Sequence, residues 1–146
     1  GDLRARLVAW PDAAGAGGDG PRSGEALPPH VEPLEDGRGD YARRAGEDLA
    51  LYADDGIVHP CLWPSLANGV MIRHLVDGPW IHTRSRIVHH SRVAVGSDAL
   101  VEAAVVDRFD TRAGTRVLLD VRISVDGAPV ATIEHEAIVS LRPREA

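Results

Sequence analysis

The chain has 146 residues, enough for one domain with a real core, and its 44% hydrophobic content is ordinary for a globular protein. Net charge is −6 with the arginines spread along the chain, so no basic footprint for nucleic acid exists, and no apolar run reaches the length of a membrane span. All 16 residues counted as Lys+Arg are arginine, which excludes a Schiff-base nucleophile and a P-loop lysine.

The single cysteine, Cys61, excludes an internal disulfide and fits a reducing compartment. No basic–apolar–small pattern opens the chain, so no secretory signal is expected and a cytoplasmic location is. The Ala/Arg/Gly/Asp-heavy usage suggests a GC-rich bacterial genome.

Leu3 to Trp10 alternates loosely and reads as a first strand. Pro11 to Pro33 holds half the prolines and a cluster of glycines, with few large apolar residues. Such a segment buries too little surface to offset its ordering entropy, so a flexible loop is expected there. Residues 1–34 are therefore read as a strand plus a Gly/Pro-rich loop, and residues 35–146 as the folded domain. Glu35 to Leu51 is polar and reads as a turn, through Gly39-Asp40-Tyr41, followed by a short irregular or helical piece.

The segment from Tyr52 to Met71 organises the rest. It carries Asp54, Asp55 and His59 just before a short apolar helix. Pro60 and Pro64 mark the helix entrance, because proline fits a first turn whose N–H groups lack partners. Leu66, Ala67, Val70, Met71, His74 and Leu75 recur at helical spacing, and Asp77-Gly78-Pro79 stops the helix. Gly69, in mid-helix, reads as close packing against a sheet, with room for a ligand chain as the other explanation.

Four strands follow: Trp80 to Val93, Ala99 to Phe109, Thr115 to Val125 and Val130 to Leu141. Alternation places Val101, Ala103, Val105 and Phe109 on one face. It likewise groups Val117, Leu119, Val121, Ile123 and Val125 opposite Arg116, Asp120, Arg122 and Ser124. Ala131, Ile133, His135, Ala137, Val139 and Leu141 share a face of the last strand. Asp126-Gly127 is a hairpin signal, because both central residues of that turn need positive φ. Alternation of this kind belongs to antiparallel strands with one buried and one solvated face.

A helix followed by four antiparallel strands, read with Gly56-Ile-Val-His-Pro60, Gly78-Pro-Trp-Ile-His-Thr-Arg-Ser85 and Asp126 to His135, resembles the hot-dog fold. More narrowly it resembles the MaoC-like dehydratase and (R)-specific enoyl-CoA hydratase family, over roughly residues 35–142. The resemblance implies an α+β domain, an antiparallel sheet wrapped around one central helix. It also implies a homodimer, or a hetero-oligomer with another hot-dog chain. The implied reaction is reversible addition of water to a 2-enoyl thioester, giving the 3-hydroxyacyl thioester, with the acyl group carried on coenzyme A or acyl carrier protein and no other cofactor. The family motif is Asp-x-Asn-Pro-(Ile/Val)-His. Asp54 and His59 have its spacing and Val58 its apolar position, while Gly56 and Ile57 depart from it. In a second register His59-Pro60 corresponds to the family's helix-start His-Gly pair, and Gly39-Asp40-Tyr41 to the acid motif, with Ala45 where the histidine would stand. Both registers remain open at this point.

That chemistry needs a base for the α-proton, an acid for the departing hydroxyl and donors for the thioester oxygen. Histidine serves as a base near neutral pH, which makes His59 and Asp54 the catalytic candidates, with Asp54 orienting the ring or managing water. The N–H groups at the helix start are candidate donors to the thioester oxygen: Pro60 and Pro64 supply none, leaving Cys61, Leu62, Trp63 and Ser65. Asn68, on the helix, is a further substrate contact. His82 and His89 fall on opposite faces of one strand and no three-ligand spacing emerges, so no metal is expected. Trp80, His82 and Arg84 would share a face, where Arg84 or Arg86 is a candidate partner for a carrier phosphate. Two other readings accompany the hydratase one: a hot-dog thioesterase, and a non-catalytic acyl-binding subunit.

Overall fold

The computed structural model describes residues 20–34, 46–47 and 50–141. The strand expected at Leu3 to Trp10 and the Gly39-Asp40-Tyr41 segment lie outside the described residues.

The elements run β1 (Glu25–Pro33), α1 (Leu51–Asp54), α2 (Leu62–His74), β2 (Ile81–His89), β3 (Asp98–Thr111), β4 (Gly114–Val125) and β5 (Ala128–Leu141). The five strands form one antiparallel sheet in the order β1-β3-β4-β5-β2, with α2 against one face. This is the expected sheet around a central helix.

α2 begins where the prolines place it. Pro60 precedes it and Pro64 sits in its first turn, where a missing N–H costs nothing. Leu62, Trp63, Leu66, Ala67, Val70 and Met71 are buried against Val117, Leu119, Val121, Ile123, Ile133 and Ala137 of the sheet's inner face. Each large apolar side chain so buried contributes about 1.5–3 kcal/mol. Gly69 does not need its missing side chain: an added Cβ would meet no atom within 4 Å. Close helix–sheet packing is therefore not what the glycine serves.

The β4–β5 hairpin turns at Asp126 (φ 51°) and Gly127 (φ 77°), the double positive-φ geometry that Asp-Gly favours.

Four expectations change. Glu25–Pro33, read as loop, is an edge strand paired with β3. Its Pro28 and Pro29 fall where the register breaks between Leu27 and His30, a place that tolerates missing N–H donors. A bulge between Val105 and Asp107 turns Phe109 away from Val105, so that it pairs with Arg116 on the outer face. A second bulge between His82 and Arg84 puts His82 opposite Ala137 and Arg84 opposite Glu136. His82 thus joins Ser85 and His89 on the inner face, and Arg84 leaves it.

The fourth change concerns the outer face, which is not simply solvated. Asp120, Thr132, Glu134 and Glu136 are all buried there. Arg116 and Arg84 bond to Glu136, and the Thr83 hydroxyl lies 2.7 Å from the same carboxylate. Arg122 and Arg22 meet Asp120 at 3.0 and 3.5 Å, while Arg86 and Arg22 meet Glu134 at 3.7 and 3.5 Å. Guanidinium stems cover these carboxylates, and the ion pairs offset the cost of their burial. Arg84 and Arg86 are therefore committed to Glu136 and Glu134, not held open for a carrier phosphate.

Candidate functional site

A cavity of about 660 Å³ opens beside the start of α2. Two chain segments build it. Gly56 takes positive φ (62°) after α1 and turns the chain back. Residues 56–58 then run against 93–95: Val58 N–H donates to Val93 O and Val95 N–H to Gly56 O, both at 2.9 Å. Leu51, Ile57, Val58, Pro60, Trp63 and Val93 supply the apolar wall, and Tyr52, Asp55, His89, His90, Ser91 and Arg92 the polar rim.

His59 stands at the helix entrance with only 9% of its side chain exposed. Its Nδ1 accepts the Cys61 N–H at 3.2 Å, so the neutral ring carries its proton on Nε2. Nε2 lies 4.0 Å from Glu47 Oε2. The imidazole also meets the Tyr52 ring edge to face, with centroids 4.4 Å apart at 67°. His59 itself does not line the cavity, whereas Val58, Pro60 and Tyr52 do.

The other expected site residues fare differently. Asp54 is exposed at the end of α1, and the acid beside His59 is Glu47. The N–H groups expected to await a thioester oxygen are already used. Cys61 N–H bonds His59, Leu62 N–H donates to His59 O at 3.0 Å, and Trp63 N–H donates to Pro60 O at 3.2 Å. The turn before α2 closes on itself, and Ser65 lies inside the helix. Trp63 is one of the residues that line the cavity. Cys61 is exposed. Asn68 is half-buried, and its Oδ1 has no hydrogen-bond partner among the described residues.

Glu47 and Tyr52 were missed in sequence. No motif in the sequence marks them, and the fold alone brings them to His59.

Two further histidine arrangements lie on the sheet, the first against the outer face and the second on the inner one. His90 Nε2 is 2.9 Å from Thr132 Oγ1, which accepts an N–H from Arg122 at 3.0 Å. Ser85 Oγ sits between two stacked imidazoles, 2.8 Å from His135 Nδ1 and 3.0 Å from His82 Nε2. Burial, and then the His82 ring, push the His135 pKa down to about 3, so His135 is neutral at physiological pH.

No family model and no characterised protein matches the sequence. Solved structures do match. The (R)-hydratase from A. caviae involved in PHA biosynthesis is 20% identical with a TM-score of 0.67, over 80% of this chain and 95% of that one. A C-terminally truncated HadBC (3R-hydroxyacyl-ACP dehydratase) complex from Mycobacterium tuberculosis is 16% identical with a TM-score of 0.64, over 79% and 96%. A hot-dog-like protein from Thermanaerovibrio acidaminovorans is 18% identical with a TM-score of 0.61, over 82% and 84%. The chain has the hot-dog fold. No helix among its described residues is long and apolar enough to cross a membrane.

Proposed function

We propose that this chain binds acyl thioesters of coenzyme A or acyl carrier protein in the cavity beside α2, and that it interconverts 2-enoyl and 3-hydroxyacyl thioesters. The observation that carries this is the cavity itself. An apolar wall large enough for a short acyl chain meets a rim of titratable groups at the helix entrance, on a fold shared with an (R)-hydratase and a 3-hydroxyacyl dehydratase.

In the dehydration direction a base removes the α-proton, an acid protonates the β-hydroxyl so that it leaves as water, and the double bond forms between the α- and β-carbons. His59 is the proposed acid–base group, with Glu47 in the orienting place first assigned to Asp54. Its Nε2–H faces the Glu47 carboxylate, and its Nδ1, the ring atom with the free electron pair, has one contact, from Cys61 N–H at 3.2 Å. Positioned acid–base groups of this kind contribute about 10²–10⁴-fold.

One observation favours a second reading, a non-catalytic acyl-binding subunit: His59 is absent from the cavity wall. Among the described residues β2 pairs with β5 on one side only. Its other edge is the proposed place for a second copy or another hot-dog chain to add.

The test is the loss of conjugated-enoyl absorbance when the purified protein meets a short enoyl-CoA. Hydration that His59→Ala abolishes supports the enzyme. Equal turnover by the variant removes His59 from the mechanism. Free thiol released in place of hydration identifies a thioesterase, and acyl-CoA binding without turnover identifies the subunit.

A further inference from the structure

Closure of the turn before α2 leaves the thioester oxygen without the donors expected for it. The N–H groups of Cys61, Leu62 and Trp63 each have a partner within the chain. A carbonyl oxygen that gains negative charge in a dry pocket still needs a hydrogen-bond donor. The rim of the cavity offers a candidate side chain. Tyr52 lines it, and the Tyr52 hydroxyl makes no hydrogen bond among the described residues.

The phenol is also held in place from two sides. Ile57 N–H donates to Tyr52 O at 2.9 Å and fixes the backbone at the end of α1. The ring packs on the His59 imidazole, which is held at Nδ1 by Cys61 N–H and faces Glu47 with Nε2. An aromatic ring braced on a fixed neighbour offers its hydroxyl at little further entropic cost when substrate arrives.

We propose that the Tyr52 hydroxyl donates a hydrogen bond to the thioester carbonyl oxygen while its ring stays braced on the His59 imidazole. No bond is made or broken at Tyr52: its proton stays on the phenol oxygen while charge builds on the carbonyl. The inference rests on the acyl-thioester reading of the cavity. It extends that reading by naming the group that takes the place of the helix N–H donors, and it holds for a hydratase or a thioesterase alike.

The test uses Tyr52→Phe, which keeps the ring on His59 and removes only the hydroxyl. A saturated acyl-CoA labelled with carbon-13 at the thioester carbonyl is titrated into each protein, binding is followed by tryptophan fluorescence, and the labelled carbonyl band is read by infrared difference spectroscopy. The expected result is a band shifted to lower frequency in the wild type and restored in Tyr52→Phe at similar affinity. With a reactive enoyl-CoA, kcat should fall about 10²–10³-fold while KM changes little. A band equally shifted in both proteins, or equal kcat values, overturns the inference. A shift lost in the variant while neither protein turns over enoyl-CoA supports the contact and refutes the enzyme. A wild type that binds no acyl-CoA refutes the cavity reading and the contact together.

Discussion

Replacing His135 with glutamine separates burial chemistry from packing, because the expected effect depends on pH. His135 is fully buried on the inner face of β5, stacked on His82 with centroids 4.4 Å apart and 2.8 Å from Ser85 Oγ. Its pKa in the folded chain is about 3, lowered first by burial and then by His82, against 6.5 for the exposed side chain. The folded value lies below the unfolded one, so the unfolded chain takes up the proton first. The stability conferred by the neutral buried ring is therefore present above about pH 6.5 and is lost as pH falls toward 3. Linkage gives a slope approaching ~1.4 kcal/mol per pH unit, or about 2 kcal/mol between about pH 7.5 and pH 5. Near pH 7.5 His135→Gln should cost about 1–3 kcal/mol for a poorer bond to Ser85 and an altered fit. Glutamine does not titrate, so the gap between the two proteins should narrow by about 2 kcal/mol on acidification. Urea unfolding followed by tryptophan fluorescence across that range measures it directly. A gap constant to within about 0.5 kcal/mol would show that no proton distinguishes the folded and unfolded states at this residue, and the argument would fail.

Gly114→Ala should be severely destabilising, by about 3 kcal/mol or more, because Gly114 has φ 144° and an added Cβ would lie 1.8 Å from Ser140 O; a thermal midpoint close to wild type would refute the β4–β5 approach there. Gly69→Ala should stabilise by up to about 1 kcal/mol, since the site is helical and empty within 4 Å. A fall in midpoint would mean that something occupies the space beside the helix. Glu136→Ala should cost about 3–5 kcal/mol in urea unfolding, because it strips the carboxylate from Arg116 and from the Thr83 hydroxyl inside the outer-face network; a loss below about 1 kcal/mol would show that solvent already screens the pair.

Local rules were enough for part of this protein. The prolines at the entrance of α2, its apolar spacing and the Asp-Gly turn between β4 and β5 depend on backbone preferences within a few residues, and all appear where the sequence places them. Strand alternation likewise assigned Val117, Leu119, Val121 and Ile123 to the core, because the side-chain period is a property of one strand.

Pairing between distant segments decided the rest. Glu25–Pro33 looks like a linker in composition and becomes a strand only because β3 offers it an edge. Bulges at Val105/Asp107 and His82/Arg84 move Phe109 and His82 to the faces opposite those that alternation assigns, and no neighbour in sequence announces them. The acids of the outer face are buried because arginines from β2, β4 and Arg22 converge on them across the sheet. At the helix entrance, Glu47, Tyr52 and His59 meet because the turn at Gly56 folds α1 back toward α2. Backbone preference acts over a few bonds and can be read from a string of residues. Register and convergence act through space, and only the folded chain brings those groups within reach of one another.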